Sequence, residues 1–198
     1  MRRFVVIGHR AITSKDFKLK DLCGSTGRLD VLLRCVNSAF FLSHDIRRDV
    51  ELYLILLGDP DPPKTIRMVG GELKYLNPDE RSTGALVRNA LFKKPGIEEV
   101  MSTPGIHISK KGFGEVIRDL NKISDIVYLR ENGAPFQPPS ETSDFTFVLG
   151  DDRDLSPEEE AVIQDCKAHI ISLGPKSYHS DHCITIANSL LDNIFGTS

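Results

Sequence analysis

The residues with the most chemical potential in this chain lie where apolar runs end in glycine. Residues 145–149 (FTFVL) run into Gly150 and then the charged loop Asp151, Asp152, Arg153 and Asp154. Residues 169–173 run into Gly174, Pro175, Lys176 and Ser177. In open α/β sheets, ligands sit outside the carboxyl ends of strands, where such loops meet helix N-termini. These two loops, with the loop after Leu129, are the best candidate for a ligand site. His179, His182 and Cys183 follow within a few residues and raise the question of a metal. The rest of the chain offers no partner pair at ligand spacing, so no metal site is expected. Asp151 to Asp154 read as a solvated acidic loop at a helix start rather than a magnesium site. Cys183 falls on an apolar helical stripe, where it packs as a small core residue and can also line a cofactor pocket.

Other signatures are missing. There is no GxGxxG, no Walker A pattern and no GxSxG, so dinucleotide, P-loop and serine-hydrolase chemistry are unsupported. Gly24-Ser25-Thr26-Gly27 is rich in glycine but lacks a P-loop lysine and a preceding strand, and reads as a plain loop.

The elements that must hold these loops alternate between β-rich runs and helical patterns, which is the α/β signature. Residues 3–8 (RFVVIG) predict a first strand. Leu29, Leu32, Val36 and Phe40 fall on one helical stripe, with Leu33 beside it. Residues 50–57 are nearly continuous in apolar side chains, as expected of a strand covered on both faces. Residues 65–69, Gly70-Gly71 and residues 72–76 suggest a hairpin. Helices are predicted over 82–92 and 113–120, short strands over 105–109 and 125–129, and a long connection over 131–144. Ser156-Pro157-Glu158-Glu159 is a strong helix start, with a serine cap, proline at the first turn and glutamate three residues after the cap. Cys183, Ile186, Ala187, Leu190 and Ile194 mark the apolar face predicted for a closing helix.

The chain has 198 residues, 40% hydrophobic and 27% charged, with 15 Gly and 11 Pro. That is ordinary for a globular protein and excludes a disordered or collagen-like chain. A single domain over residues 1–198 is expected. Lys and Arg total 25 against 28 Asp and Glu, a net charge of −3, which excludes a polybasic protein but not a nucleic-acid enzyme. The basic pairs are Lys18/Lys20, Arg47/Arg48, Lys93/Lys94 and Lys110/Lys111, with Arg28 and Arg34 near the first. Such pairs are usually solvated faces, and whether any converge is a tertiary question. No apolar run approaches a membrane span, and residues 4–7 are too short for a signal peptide. A cytoplasmic protein is therefore expected, with Cys23, Cys35, Cys166 and Cys183 reduced.

Four segments together carry a resemblance: FVVIGHRA, GRLDVLLRCVNSAFFLSHDIRRDV, FVLGDDRDLSPEEE and SLGPKSYHSDHCITIANSLLDN. They resemble the archaeal tRNA (pseudouridine(54)-N1)-methyltransferase family, of the SPOUT or α/β-knot class of RNA methyltransferases. The resemblance spans essentially the whole chain. It implies an α/β fold with a mostly parallel sheet and a C-terminal trefoil knot, a homodimer, tRNA as partner and S-adenosylmethionine as methyl donor. The implied product is N1-methylpseudouridine in the T-loop. Leu129 matches the family's donor-contacting leucine, and Gly150 its donor-contacting glycine. Leu173, Gly174, Pro175, Lys176, Ser177 and Tyr178 match the loop that wraps the donor, and Cys183 matches the last contact.

Pseudouridine carries an N1–H that must leave, so a carboxylate or a cation near N1 would help. Asp30 and Arg28 are the candidates, set against the reading that they only cap and solvate the first helix. Tyr178 either stacks on a base or the donor, or packs. Two rivals remain: the same chemistry on another RNA, such as small-subunit rRNA, and an RNA-binding protein without catalysis.

Overall fold

In the computed structural model, which describes residues 1–137 and 144–196, strand β1 (Arg2–Gly8) is buried along its whole length. Its neighbours explain that burial. It lies parallel to β2 (Val50–Leu56) on one side and to β7 (Phe145–Leu149) on the other. Phe4 and Val6 face a layer formed by α1 (Leu29–Phe40), α2 (Glu80–Leu91) and α5 (Ser180–Phe195). Val5 and Ile7 face α3 (Phe113–Leu120) and α4 (Pro157–Asp165). A strand with both faces covered has no position for a polar residue, hence the unbroken run FVVI.

The other strands are β3 (Lys64–Val69), β4 (Val100–Thr103), β5 (Ile106–Ser109), β6 (Asp125–Pro135) and β8 (His169–Ser172). The sheet order is β4-β5-β3-β2-β1-β7-β6-β8. From β2 to β8 every neighbour is parallel, while β3, β5 and β4 form an antiparallel extension. This is the mixed α/β architecture expected from the sequence. The parallel half ends in the loops marked as the candidate ligand site.

Local signals performed well where the stabilising contacts are local. At α4, the Ser156 hydroxyl accepts from the Glu159 amide at 3.3 Å, and the Ser156 amide donates to the Glu159 carboxylate at 2.8 Å. That is the reciprocal cap predicted from SPEE.

Several expectations are corrected. The hairpin over 65–76 does not form: β3 pairs with β2 and with β5, and Gly70 donates to the Val50 carbonyl at 2.8 Å. Ile66 and Met68 are fully buried, and β3 lies between β2, joined to it through residues 57–63, and β5, which comes from further along the chain. Strand β4, missing from the sequence reading, hairpins with β5 through Gly105 at φ 78°. The face of α5 is also rotated by one residue. Ile184, Ala187, Asn188 and Leu191 are buried, while Ile194 is 44% exposed. Asn188 sets that phase: its amide donates to the Ser38 and Ala39 carbonyls of α1, and Arg2 bonds its carbonyl. A satisfied buried amide is invisible to a hydropathy period.

The connection expected over 131–144 is shorter than that, because β6 continues to Pro135; residues 138–143 lie outside the described residues. No described helix is long and apolar enough to cross a membrane.

Candidate active site

The carboxyl ends of β6, β7 and β8 open on a cleft of about 680 Å³. Its walls are residues 129–132 of β6, residues 149–154 from the last residue of β7 onward, and much of 172–180 from the last residue of β8 onward, closed by Cys183 in the first turn of α5. The structure therefore brings together Leu129, Gly150, Leu173, Gly174, Lys176, Ser177, Tyr178 and Cys183. Pro175 belongs to the same loop but does not line the cleft.

Each wall has a physical cause. Opposite Ile171, the ladder between β6 and β8 shifts from Leu129 to Ala134, so residues 129–134 bow out around β8. Gly133 sits where a Cβ would collide with the backbone of Ile171. Gly150 lets its loop fold back, since a Cβ there would meet the Arg153 carbonyl oxygen. The Ser180 hydroxyl donates to the Gly150 carbonyl at 2.7 Å and so ties that loop to α5. Gly174 has φ 151°, and a Cβ on it would stand 3.1 Å from the Tyr178 hydroxyl. The Ser172 hydroxyl closes the turn on the Gly174 carbonyl at 2.9 Å.

Sequence reasoning missed His9. Its amide donates to Asp151 at 2.9 Å, and its ring nitrogens lie 3.1 Å from Asp151 and 3.0 Å from Glu159. The Asp151 side chain is wholly buried. Hydrogen bonds donated to Asp151 and then to Glu159 raise the imidazole pKa to about 9. Burial opposes ionisation of both carboxyls, yet the bonds from His9 and nearby amides hold each below its ordinary range. A histidine directly after a predicted strand was the one available signal, and its partners lie far away in sequence.

Arg28 and Asp30, the catalytic candidates, do not line this cleft; Arg28 stands next to it, through Asp152. Arg28 has φ 71° and precedes α1 without a side-chain cap. Its guanidinium bonds Asp30 at 3.1 Å and lies 4.0 Å from Asp152, which lines the cleft. Arg10 reaches Asp152 at 2.6 Å. Asp30 is buried and is also held by Arg34 at 3.0 Å. Burial pushes its pKa up, but hydrogen bonds from Arg28 and Arg34 prevail and keep it below the usual carboxylate range. A carboxylate gripped by two guanidiniums is a weak proton acceptor, whereas Arg28 keeps a partly exposed cation beside Asp152.

Cys183 is half-buried, and burial pushes its thiol up to about 11, which leaves it neutral and unreactive. His179 and His182 pack edge to face, 5.6 Å between ring centres. Among the described residues no three His, Cys, Asp or Glu are grouped to hold a metal ion.

A tRNA (pseudouridine(54)-N(1))-methyltransferase of Methanocella arvoryzae is 50% identical over 189 residues, covering 95% of this chain and 97% of the relative. One of Methanococcoides burtonii is 46% identical over the whole of both chains. The crystal structure of Archaeoglobus fulgidus Nep1 bound to S-adenosylhomocysteine superposes with a TM-score of 0.68 at 16% identity, covering 98% of each chain, and so shares the fold. A family model described as "Putative SAM-dependent RNA methyltransferase" matches residues 1–194. The chain belongs to this SAM-dependent RNA methyltransferase family.

Proposed function

We propose that this chain transfers a methyl group from S-adenosylmethionine to N1 of pseudouridine 54 in tRNA, giving N1-methylpseudouridine. The observation that carries the reading is the run of full-length relatives of that name, 46 to 50% identical. The donor is assigned to the cleft at the ends of β6, β7 and β8. Its volume lies in the range of small-ligand sites. Its walls at Gly150 and Gly174 are bare backbone, which suits a ligand held largely by amides and carbonyls.

When bound, S-adenosylmethionine supplies an electrophilic methyl group on a positive sulfur. The task left to the chain is to exclude water, place N1 in line and favour loss of its proton. Leu129, Leu173 and Cys183 supply apolar wall. Arg28 offers a cation where the N1 anion develops. Asp30 orients Arg28 rather than accepting the proton. The neutral thiol of Cys183 suits transfer without a covalent RNA adduct.

The same reading takes residues 1–198 as one domain of a cytoplasmic enzyme, with the chain after β8 passing through the 129–134 bow as a trefoil knot. It also takes a homodimer. Supporting that, the half-covered side of α5, with Cys183, Ile186 and Leu190, continues into the exposed Ile194 and Phe195.

The test is methylation of a tRNA transcript with and without pseudouridine at position 54, beside a pseudouridine-containing rRNA fragment. Uridine's N1 is glycosidic and has no proton to lose, so only the pseudouridylated tRNA should be methylated. Equal methylation of the unmodified transcript would falsify the assignment, and preference for the rRNA fragment would move the substrate. Chelation with EDTA should leave activity intact.

A further inference from the structure

The four basic pairs have different fates in the fold. Arg47 bonds Asp192 at 2.6 Å, and Arg48 pairs with Asp45. Lys110 bonds Asp61 at 2.7 Å, and Lys111 bonds Asp119 at 2.8 Å. These cations are occupied. Lys18/Lys20 and Lys93/Lys94 are exposed and hold no ion pair among the described residues.

Those two free pairs are brought onto one face. Gly84 of α2 lacks a side chain, and a Cβ there would sit 3.3 Å from Leu19 and 3.4 Å from Leu22. The glycine thus lets the segment carrying Lys18 and Lys20 seat on α2, whose Arg81 and Arg88 are also without ion pairs. At the far end, the Lys15 ammonium lies 4.3 Å from the ring centre of Phe92, itself 57% exposed and directly before Lys93. At the near end, Lys20, Arg34 and Arg81 line a second cavity together with Asp21, Asp30, Asp79 and Glu80. Asp30 bonds Arg28, which stands next to the donor cleft through Asp152. The row of free cations therefore runs outward along α2 from this cavity of mixed charge.

Charge is segregated against the average of the chain. Residues 14–22 and 74–94 carry eight Lys and Arg against four Asp and Glu, in a chain whose net charge is −3. Two of those four acids act locally: Asp79 caps α2 through the Ser82 amide at 2.9 Å, and Asp21 accepts from the Gly24 amide at 3.1 Å. A row of unpaired, exposed cations beside an exposed aromatic ring complements a phosphate backbone. We propose that the 15–20 segment, α2 and Lys93/Lys94 form the surface that docks the phosphate backbone of the substrate RNA outside the modified loop. The proposal rests on the reading above that RNA is the substrate.

The experiment uses pseudouridylated tRNA, the double variants Lys93→Ala/Lys94→Ala and Lys18→Ala/Lys20→Ala, and Arg118→Ala on the opposite layer as control. Each double variant should raise KM for tRNA by about tenfold, with kcat and donor affinity unchanged. It should also flatten the dependence of log affinity on log salt by about 1 to 2, as expected when two phosphate contacts are lost. Arg118→Ala should change neither. Unchanged KM and salt slope in both double variants, or an equal loss in Arg118→Ala, would overturn the surface. If wild type fails to methylate this tRNA, the activity reading fails instead. Direct titration of the same tRNA against the same variants then decides the surface on its own.

Discussion

The Nδ1 of His9 and the buried carboxylate of Asp151 lie 3.1 Å apart across 142 positions of sequence, and this pair anchors the floor of the cleft. Asp151 follows Gly150 directly, so the imidazole at the end of β1 fixes the loop after β7. Glu159 on the other ring nitrogen extends the bond to α4.

Because its folded pKa is raised from 6.5 to about 9, His9 contributes stability that is fully present below about pH 6.5. That contribution is lost as pH rises through about 9. Thermal midpoints of wild type should therefore fall across this window, and those of His9→Gln should be lower at pH 6 and flatter above it. Parallel profiles for the two proteins would show that His9 is not protonated in the fold.

Gly174→Val should abolish donor binding and leave the chain folded. The φ of 151° disfavours a branched residue, and its Cβ would press on Tyr178, which lines the cleft. Calorimetric titration with S-adenosylmethionine, beside circular dichroism, reads both effects. Unchanged donor affinity would mean that the donor binds elsewhere.

Cys183→Ala should weaken donor binding only a few-fold, through lost packing, and keep measurable turnover. With its thiol pushed up to about 11 by burial, Cys183 is not poised as a nucleophile. An RNA adduct through Cys183, trapped with a mechanism-based analogue, would refute the noncovalent transfer.

Arg28 and Asp30 should separate kinetically. Arg28→Ala should lower kcat by about a hundredfold with donor affinity retained, the range of a lost electrostatic stabiliser. Asp30→Asn should lower turnover less and cost about 1 to 2 kcal/mol of stability, since Arg28 and Arg34 lose their shared anion. A larger kcat loss in Asp30→Asn than in Arg28→Ala would make the carboxylate the proton acceptor.

Much of this protein is legible in its sequence wherever neighbouring residues carry the energy. The unbroken apolar run of β1, the SPEE cap of α4 and the stripe of α1 rest on periodicity and on bonds within a few residues. Gly150 and Gly174 are legible because a tight turn after a strand demands glycine, although the bonds that fix the Gly150 loop, from Ser180 and His9, are distant.

Only the tertiary structure decided the rest, because distant groups set it. The second partner of β3 is β5, the phase of α5 comes from Asn188 bonding α1, and the pKa of His9 from Asp151 and Glu159. Arg47 and Lys18 look alike in sequence; Asp192, 145 positions from Arg47, neutralises one and leaves the other to solvent. Charge, register and burial phase are settled by what stands opposite a residue, and in a parallel sheet with crossover connections that neighbour is distant in the chain.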